Sequence, residues 1–166
     1  MEALTVATTY GAALFEVARD LDKIDSIGEE ITALGGIFKD EPEFFNLLCN
    51  PGIDAVGKKE TLKTVLDGRV SKELLNFMFI LTDKRRIGGF HTIVKAYHTL
   101  VNANLGISIG SIYSAVPLSD DRRKSLEEET GKLLKRNVRL DNLIDADLIG
   151  GVKIYIEGKL IDASIR

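Results

Sequence analysis

The chain has 166 residues, of which 45% are hydrophobic and 28% charged, with a formal net charge of -3 and a single cysteine. This length admits one domain or two small ones with separate cores, and the mild acidity argues against a general nucleic-acid binder. One cysteine excludes an internal disulfide and fits a reducing compartment. No apolar run approaches the roughly 18 residues that span a bilayer, and no basic segment followed by an apolar core marks a secretory leader.

Thr5 to Leu21 reads as a helix with an unusually wide apolar face. Leu4, Ala7, Gly11, Leu14, Ala18 and Leu21 form one ridge. Val6, Tyr10, Ala13 and Val17 lie beside it, and Phe15 closes the far border. The arc covers about 200° at 100° per residue, whereas a surface helix needs little more than about 100°. Such a helix packs on two sides, inside a bundle or between its own domain and another protein.

A second helix is expected over Ser26 to Lys39, with Ser26 as N-cap and Glu29 completing a capping box. Gly35 and Gly36 weaken it or permit close packing. Glu41 to Leu48 follows, with Pro42 in its first turn, and Asn50-Pro51-Gly52 ends it. Ala55 to Leu66 is a fourth, weaker helix stopped at Gly68. Ser71 caps a fifth that reaches Thr82, whose apolar face covers about 260°. Ile87 to Ala103 is a sixth, with Phe90, Ile93, Val94, Tyr97, Leu100 and Val101 facing inward.

The period changes at Gly106. Ile107, Ile109, Ile112 and Tyr113 suggest a strand with an irregularity at Gly110-Ser111, ended by Pro117. Ser119 caps a helix from Asp120 to Arg136 with a narrow apolar stripe. Val138 to Ile144, Val152 to Ile156 and Leu160 to Ser164 read as strands. The expected architecture is α+β and two-domain: a six-helix bundle over residues 1–104, then a small α/β domain over 105–166 whose short sheet is covered by a helix.

No catalytic constellation is visible. His91 and His98 stand two helical turns apart, a rise of about 10 Å, too far for one metal. There is no Cys pair, HExxH, GxGxxG or GxxxxGK[ST]. Asp145, Asp147 and Asp162 read as loop terminators before they read as cation ligands. Cys49, within FFNLLCN, reads as a buried structural thiol. Lys84-Arg85-Arg86 balances the carbonyl end of the fifth helix, with a phosphate or an acidic partner as the alternative. Arg122-Arg123-Lys124 is offset by Glu127, Glu128 and Glu129 one turn on. The residues alone leave two readings open: a self-contained six-helix core, or a groove between helices one and five for an amphipathic partner helix. Tyr10 and Phe15 are the candidate aromatic anchors.

Several stretches, in order, carry a family resemblance: Thr9 to Phe15; Phe45 to Pro51 with Lys58 or Lys59 after it; Leu75 to Arg86; Ser114 to Leu118; and Leu148-Ile149-Gly150-Gly151 leading through Gly158 to Ile161-Asp162-Ala163-Ser164-Ile165-Arg166. Together they resemble the delta subunit of F-type ATP synthase, the family that includes the mitochondrial oligomycin-sensitivity-conferring protein. The resemblance implies a non-catalytic stator adaptor without cofactor or metal. Its helical domain would hold the N-terminal amphipathic helix of an alpha subunit. Its α/β domain would join the b-type subunits of the peripheral stalk. By matching position, Tyr10, Ala13, Leu14 and Val17 on helix one and Phe77, Ile80, Leu81 and Lys84 on helix five belong near the groove, and some of these eight are expected to be core instead.

The implied setting is the cytoplasmic side of a bacterial cell membrane, peripheral, as a monomer within the complex, with no nucleic acid bound and no membrane span. Two departures from the family stand out. Thr9 and Gly11 flank Tyr10 where a basic residue and Ala are common, and Gly11 is expected to weaken an exposed helix by up to about 1 kcal/mol. The chain also ends at Arg166, where the family usually continues into a Leu-rich segment. The rival readings are an unrelated helical adaptor and, less favoured, a small enzyme using His98 or the Asp145/Asp147 pair.

Overall fold

In the computed structural model, residues 2–162 are described, with side chains for residues 2–161. The chain divides into two compact units, Met1–Val101 and Asn102–Arg166. The first is built from α1 (Glu2–Asp20), α2 (Ile24–Asp40), α3 (Pro42–Cys49), α4 (Ala55–Leu66), α5 (Lys72–Asp83), a 3-10 turn (Ile87–Gly89) and α6 (Phe90–Asn104). The second holds β1 (Ile107–Ser114), α7 (Asp120–Leu134), β2 (Asn137–Ile144), β3 (Val152–Ile156) and β4 (Lys159–Asp162). The α+β architecture expected from the two apolar periods is therefore present.

Helix α2 contributes the deepest row of the bundle. Ile27, Ile31, Leu34 and Phe38 follow helical spacing and are all buried, each stabilising the fold by about 1.5–3 kcal/mol. Around them pack Leu14 and Ala18 of α1, Leu62 and Leu66 of α4, Leu74, Met78 and Leu81 of α5, and Phe90, Ile93 and Tyr97 of α6. The Phe38 ring meets Phe44, Phe45 and Phe90 at centroid distances of 5.6, 5.0 and 5.1 Å. Tyr97 is buried along its ring, and its hydroxyl donates to the Ile24 carbonyl at 2.6 Å. Burial pushes its pKa up to about 12, so the phenol stays protonated and keeps its donor.

That hydrogen bond bears on where α2 starts. The expected Ser26 cap is incorrect: α2 begins at Ile24, with Lys23 at the cap position and no side-chain cap. The Ser26 hydroxyl instead donates to the Lys23 carbonyl at 3.3 Å. Packing of Ile24 against the core and its bond to Tyr97 extend the helix two residues upstream. Local capping preference yields here to a tertiary contact. Elsewhere the local signals hold: Ser71 accepts from Leu74 N–H and Ser119 from Arg122 N–H. Asp54 caps α4 by accepting from Gly57 N–H.

Gly11 is not an exposed weak point. It is buried, and a Cβ there would lie 2.8 Å from Ala96 Cβ and 3.1 Å from the Tyr97 nitrogen. The missing side chain lets α1 and α6 cross backbone to backbone, which an alanine would hold apart. The expected weakening of an exposed helix therefore does not apply. Helix α6 also starts later than expected, because Ile87–Gly89 takes the tighter 3-10 form.

In the second unit the strand order is β2-β1-β3-β4. β1 pairs parallel with β2, which the α7 crossover allows, and antiparallel with β3. β3 and β4 form an antiparallel hairpin. The inward row comprises Ile112, Val138, Leu140, Ile154 and Ile156 and packs on Leu126 of α7. The expected irregularity at Gly110-Ser111 is absent, for β1 runs unbroken with Gly110 paired to both neighbours. α7 stops at Leu134, two residues before its expected end, because Lys135 turns left-handed at φ 54. Of the expected last strand, Ala163 and Ser164 lie outside the described residues.

Candidate docking site

Val6, Tyr10, Ala13 and Val17 fall within about 60° of one another on α1. The first two are half-buried; Ala13 is exposed and Val17 is 44% exposed. Tyr10 meets Phe77 of α5 edge to face at 6.5 Å, which fixes α1 beside α5 along this stripe. Phe77 is buried beneath, Ile80 remains 49% exposed one turn on, and Lys84 stands exposed at the helix end. Leu14 and Leu81 are fully enclosed by the unit's own core. Of the eight positions, then, Ala13, Val17, Ile80 and Lys84 lie open, Tyr10 is shared, and Leu14, Phe77 and Leu81 are core. Phe15, the other candidate anchor, is buried against Tyr97 at 6.0 Å.

A second apolar surface lies on the face of the sheet opposite α7. Ile109, Leu143, Tyr155 and Leu160 are exposed there, with Tyr155 41% accessible. Tyr113 and Tyr155 meet edge to face at 5.5 Å across β1 and β3. Sequence reading missed this face. Its signal was present as apolar residues on both alternations of the strands, Ile109 and Tyr113 as well as Ile112, where a one-sided sheet shows one.

The residues weighed for chemistry do structural work. Among the described residues no group of His, Cys, Asp or Glu is placed to hold a metal. Asp145 and Asp147 close a loop: Asp145 N–H donates to the Ser114 carbonyl, and its carboxylate accepts from Asp147 N–H at 3.1 Å. Arg123 pairs with Glu127 at 2.9 Å, and Glu127 also accepts from Leu140 N–H, tying α7 to β2. The Cys49 thiol is half-buried, and burial pushes its pKa up.

His98 sits 2.8 Å from the Thr32 hydroxyl, which gives its own proton to the Gly28 carbonyl. With the Thr32 proton so directed, Nε2 is assigned as the donor, a role the Nε2–H tautomer of the neutral ring fills. Desolvation lowers the His98 pKa below its ordinary 6.5. The unfolded chain then takes up a proton first as pH falls, so the folded state loses stability between about 6.5 and the lower folded value. Urea midpoints measured across that window should decline toward acid, and His98→Gln should flatten the decline.

The family model described as ATP synthase delta (OSCP) subunit matches residues 6–166. The chain is 34% identical over 162 residues to ATP synthase subunit delta of Acetivibrio thermocellus, covering 97% of this chain and 91% of that protein. It is 33% identical to the chloroplastic subunit delta of Galdieria sulphuraria, covering 97% and 92%. It is 32% identical to that of Nostoc punctiforme, covering 99% and 90%. In fold it resembles a chain of the Toxoplasma gondii mitochondrial ATP synthase hexamer, with a TM-score of 0.72 at 13% identity over 96% of this chain and 90% of that one.

Proposed function

The chain belongs to the ATP synthase delta (OSCP) subunit family, and from that premise we propose that its first unit holds the N-terminal helix of an alpha subunit while its second joins the b-type subunits of the peripheral stalk. Members of this family are non-catalytic parts of the stator, so the task is mechanical. The head must be held against the drag of the rotor, which calls for slow dissociation more than for chemistry. The protein is a peripheral part of the synthase, and no helix among the described residues is long and apolar enough to cross a membrane. We place it on the cytoplasmic side of a bacterial membrane.

The observation that carries this reading is the open apolar stripe of α1 beside α5, built on the Tyr10–Phe77 contact. An amphipathic helix laid along it would cover Ala13, Val17 and Ile80, with Lys84 at the rim to meet an acidic residue. The uncovered sheet face around Tyr113 and Tyr155 is the surface assigned to the b-type subunits.

Because Val17 and Ile80 are exposed, aspartate at both positions should leave the fold intact, whereas aspartate at buried Phe77 would not. The double variant Val17→Asp, Ile80→Asp should bind an alpha N-terminal peptide at least about 30-fold more weakly, the effect of losing a hot spot worth roughly 2 kcal/mol. Circular dichroism checks the fold. Full affinity in the folded double variant would refute the groove. Tyr155→Asp should leave the peptide affinity unchanged and abolish co-purification with the b-type subunits.

A further inference from the structure

A small pocket in the first unit, lined from α3, α4 and the end of α5, has a composition that structure alone does not require. Leu48, Cys49, Lys58, Leu81, Thr82 and Arg85 are among the residues that line it, and it has a volume of about 170 Å³. Among the described residues no acidic residue lines it. Lys58 is only 8% exposed, yet its ammonium makes no hydrogen bond or ion pair among the described residues. Its neighbour Lys59 is the one that pairs with Asp83, at 2.6 Å.

The stem of Lys58 is buried while its ammonium is not sealed from solvent, and its three N–H donors have no acceptor among the described residues. The carbonyl end of α3 at Cys49 offsets only part of the charge. Arg85, the second cation, likewise has no side-chain partner among the described residues. It also occupies a left-handed conformation, φ 55, at the end of α5. Its N–H donates to the Thr82 carbonyl and that of Arg86 to the Leu81 carbonyl. This is the reversal that glycine usually makes.

We propose that this pocket binds a free phosphate-type oxyanion between Lys58 and Arg85. Size and charge decide the class. A water occupies about 30 Å³ of liquid, so the space equals some five or six waters, enough for a tetrahedral oxyanion. Pockets for larger ligands start at about 300 Å³, which leaves a whole nucleotide outside. Two cations with no acid between them match an anion of charge near -2, and the apolar wall of Leu48, Leu81 and Ile87 strengthens the attraction by excluding water. Thr82 cannot donate, because its hydroxyl proton goes to the Met78 carbonyl, so the two cations supply the side-chain recognition.

Cys49 is the chain's single cysteine and lines the same pocket, so it reports occupancy. Inorganic phosphate should bind the full chain with saturable heat by calorimetry. It should also slow iodoacetamide labelling of Cys49 relative to chloride at equal ionic strength. Lys58→Met and Arg85→Gly should each weaken phosphate binding at least tenfold and remove the protection, while Arg86→Gln should not. Arg85→Gly decides the matter if Lys58→Met does not fold, since glycine suits the left-handed position. Unchanged binding in Arg85→Gly, or neither heat nor protection with the parent chain, would overturn the proposal. Tighter binding of ADP than of phosphate would do so as well.

Discussion

Gly110→Val is expected to unfold the second unit while the first stays folded. A Cβ at Gly110 would lie 2.5 Å from Ile156 Cγ1 and closer still to the Tyr155 carbonyl oxygen. The near neighbour is the backbone of β3, not a side chain that can turn aside. β1 has no room to retreat, because β2 is hydrogen-bonded on its other edge. Overpacking ordinarily costs about 1–3 kcal/mol, and a clash this close with backbone held on both edges goes beyond that range. A unit spanning residues 102–166 has a total margin of about 3–10 kcal/mol at 0.05–0.15 kcal/mol per residue. The measurement is an amide NMR spectrum: the dispersed strand resonances of the second unit should collapse while those of the helical unit keep their positions. Retained strand dispersion would show that the sheet accommodates the side chain.

Phe38→Ala should be the most damaging conservative change in the first unit. Phe38 is 2% exposed and touches three other aromatic rings, from α3 and α6. Its truncation leaves a cavity bounded by rigid rings that close in poorly, so about 3–5 kcal/mol is lost. That corresponds to a fall in melting temperature of more than about 10 °C for a domain of this size. Differential scanning calorimetry would record it. A drop of only a few degrees would mean that Phe44 and Phe45 fill the space.

The helices were legible because their apolar residues repeat at a helical period, and the ends at Ser71 and Ser119 because a serine there accepts the first free N–H. What was illegible depended on contacts between distant residues. The start of α2 depends on Tyr97, far along the chain. Gly11 reads locally as a weak helix position and is in fact the place where α6 passes. Nothing in the periodicity of α1 separates buried Leu14 from exposed Val17, because both sides of the helix are apolar and one of them faces out of the unit. Likewise the pair Lys58-Lys59 looks interchangeable in sequence. The first lines a pocket with its stem buried and its ammonium unpaired among the described residues, and the second is in a surface ion pair.

The strand order has a consequence for synthesis. Because β1 lies between β2 and β3, it leaves the ribosome before either neighbour exists, with both hydrogen-bonding edges bare. The helical unit upstream is richer in local contacts than the sheet and folds on a shorter timescale, so it is complete while β1 waits. At about 5–20 residues per second, that wait lasts on the order of seconds. Over that interval an apolar strand bearing Ile107, Ile109 and Ile112 is the part of the nascent chain most in need of a chaperone.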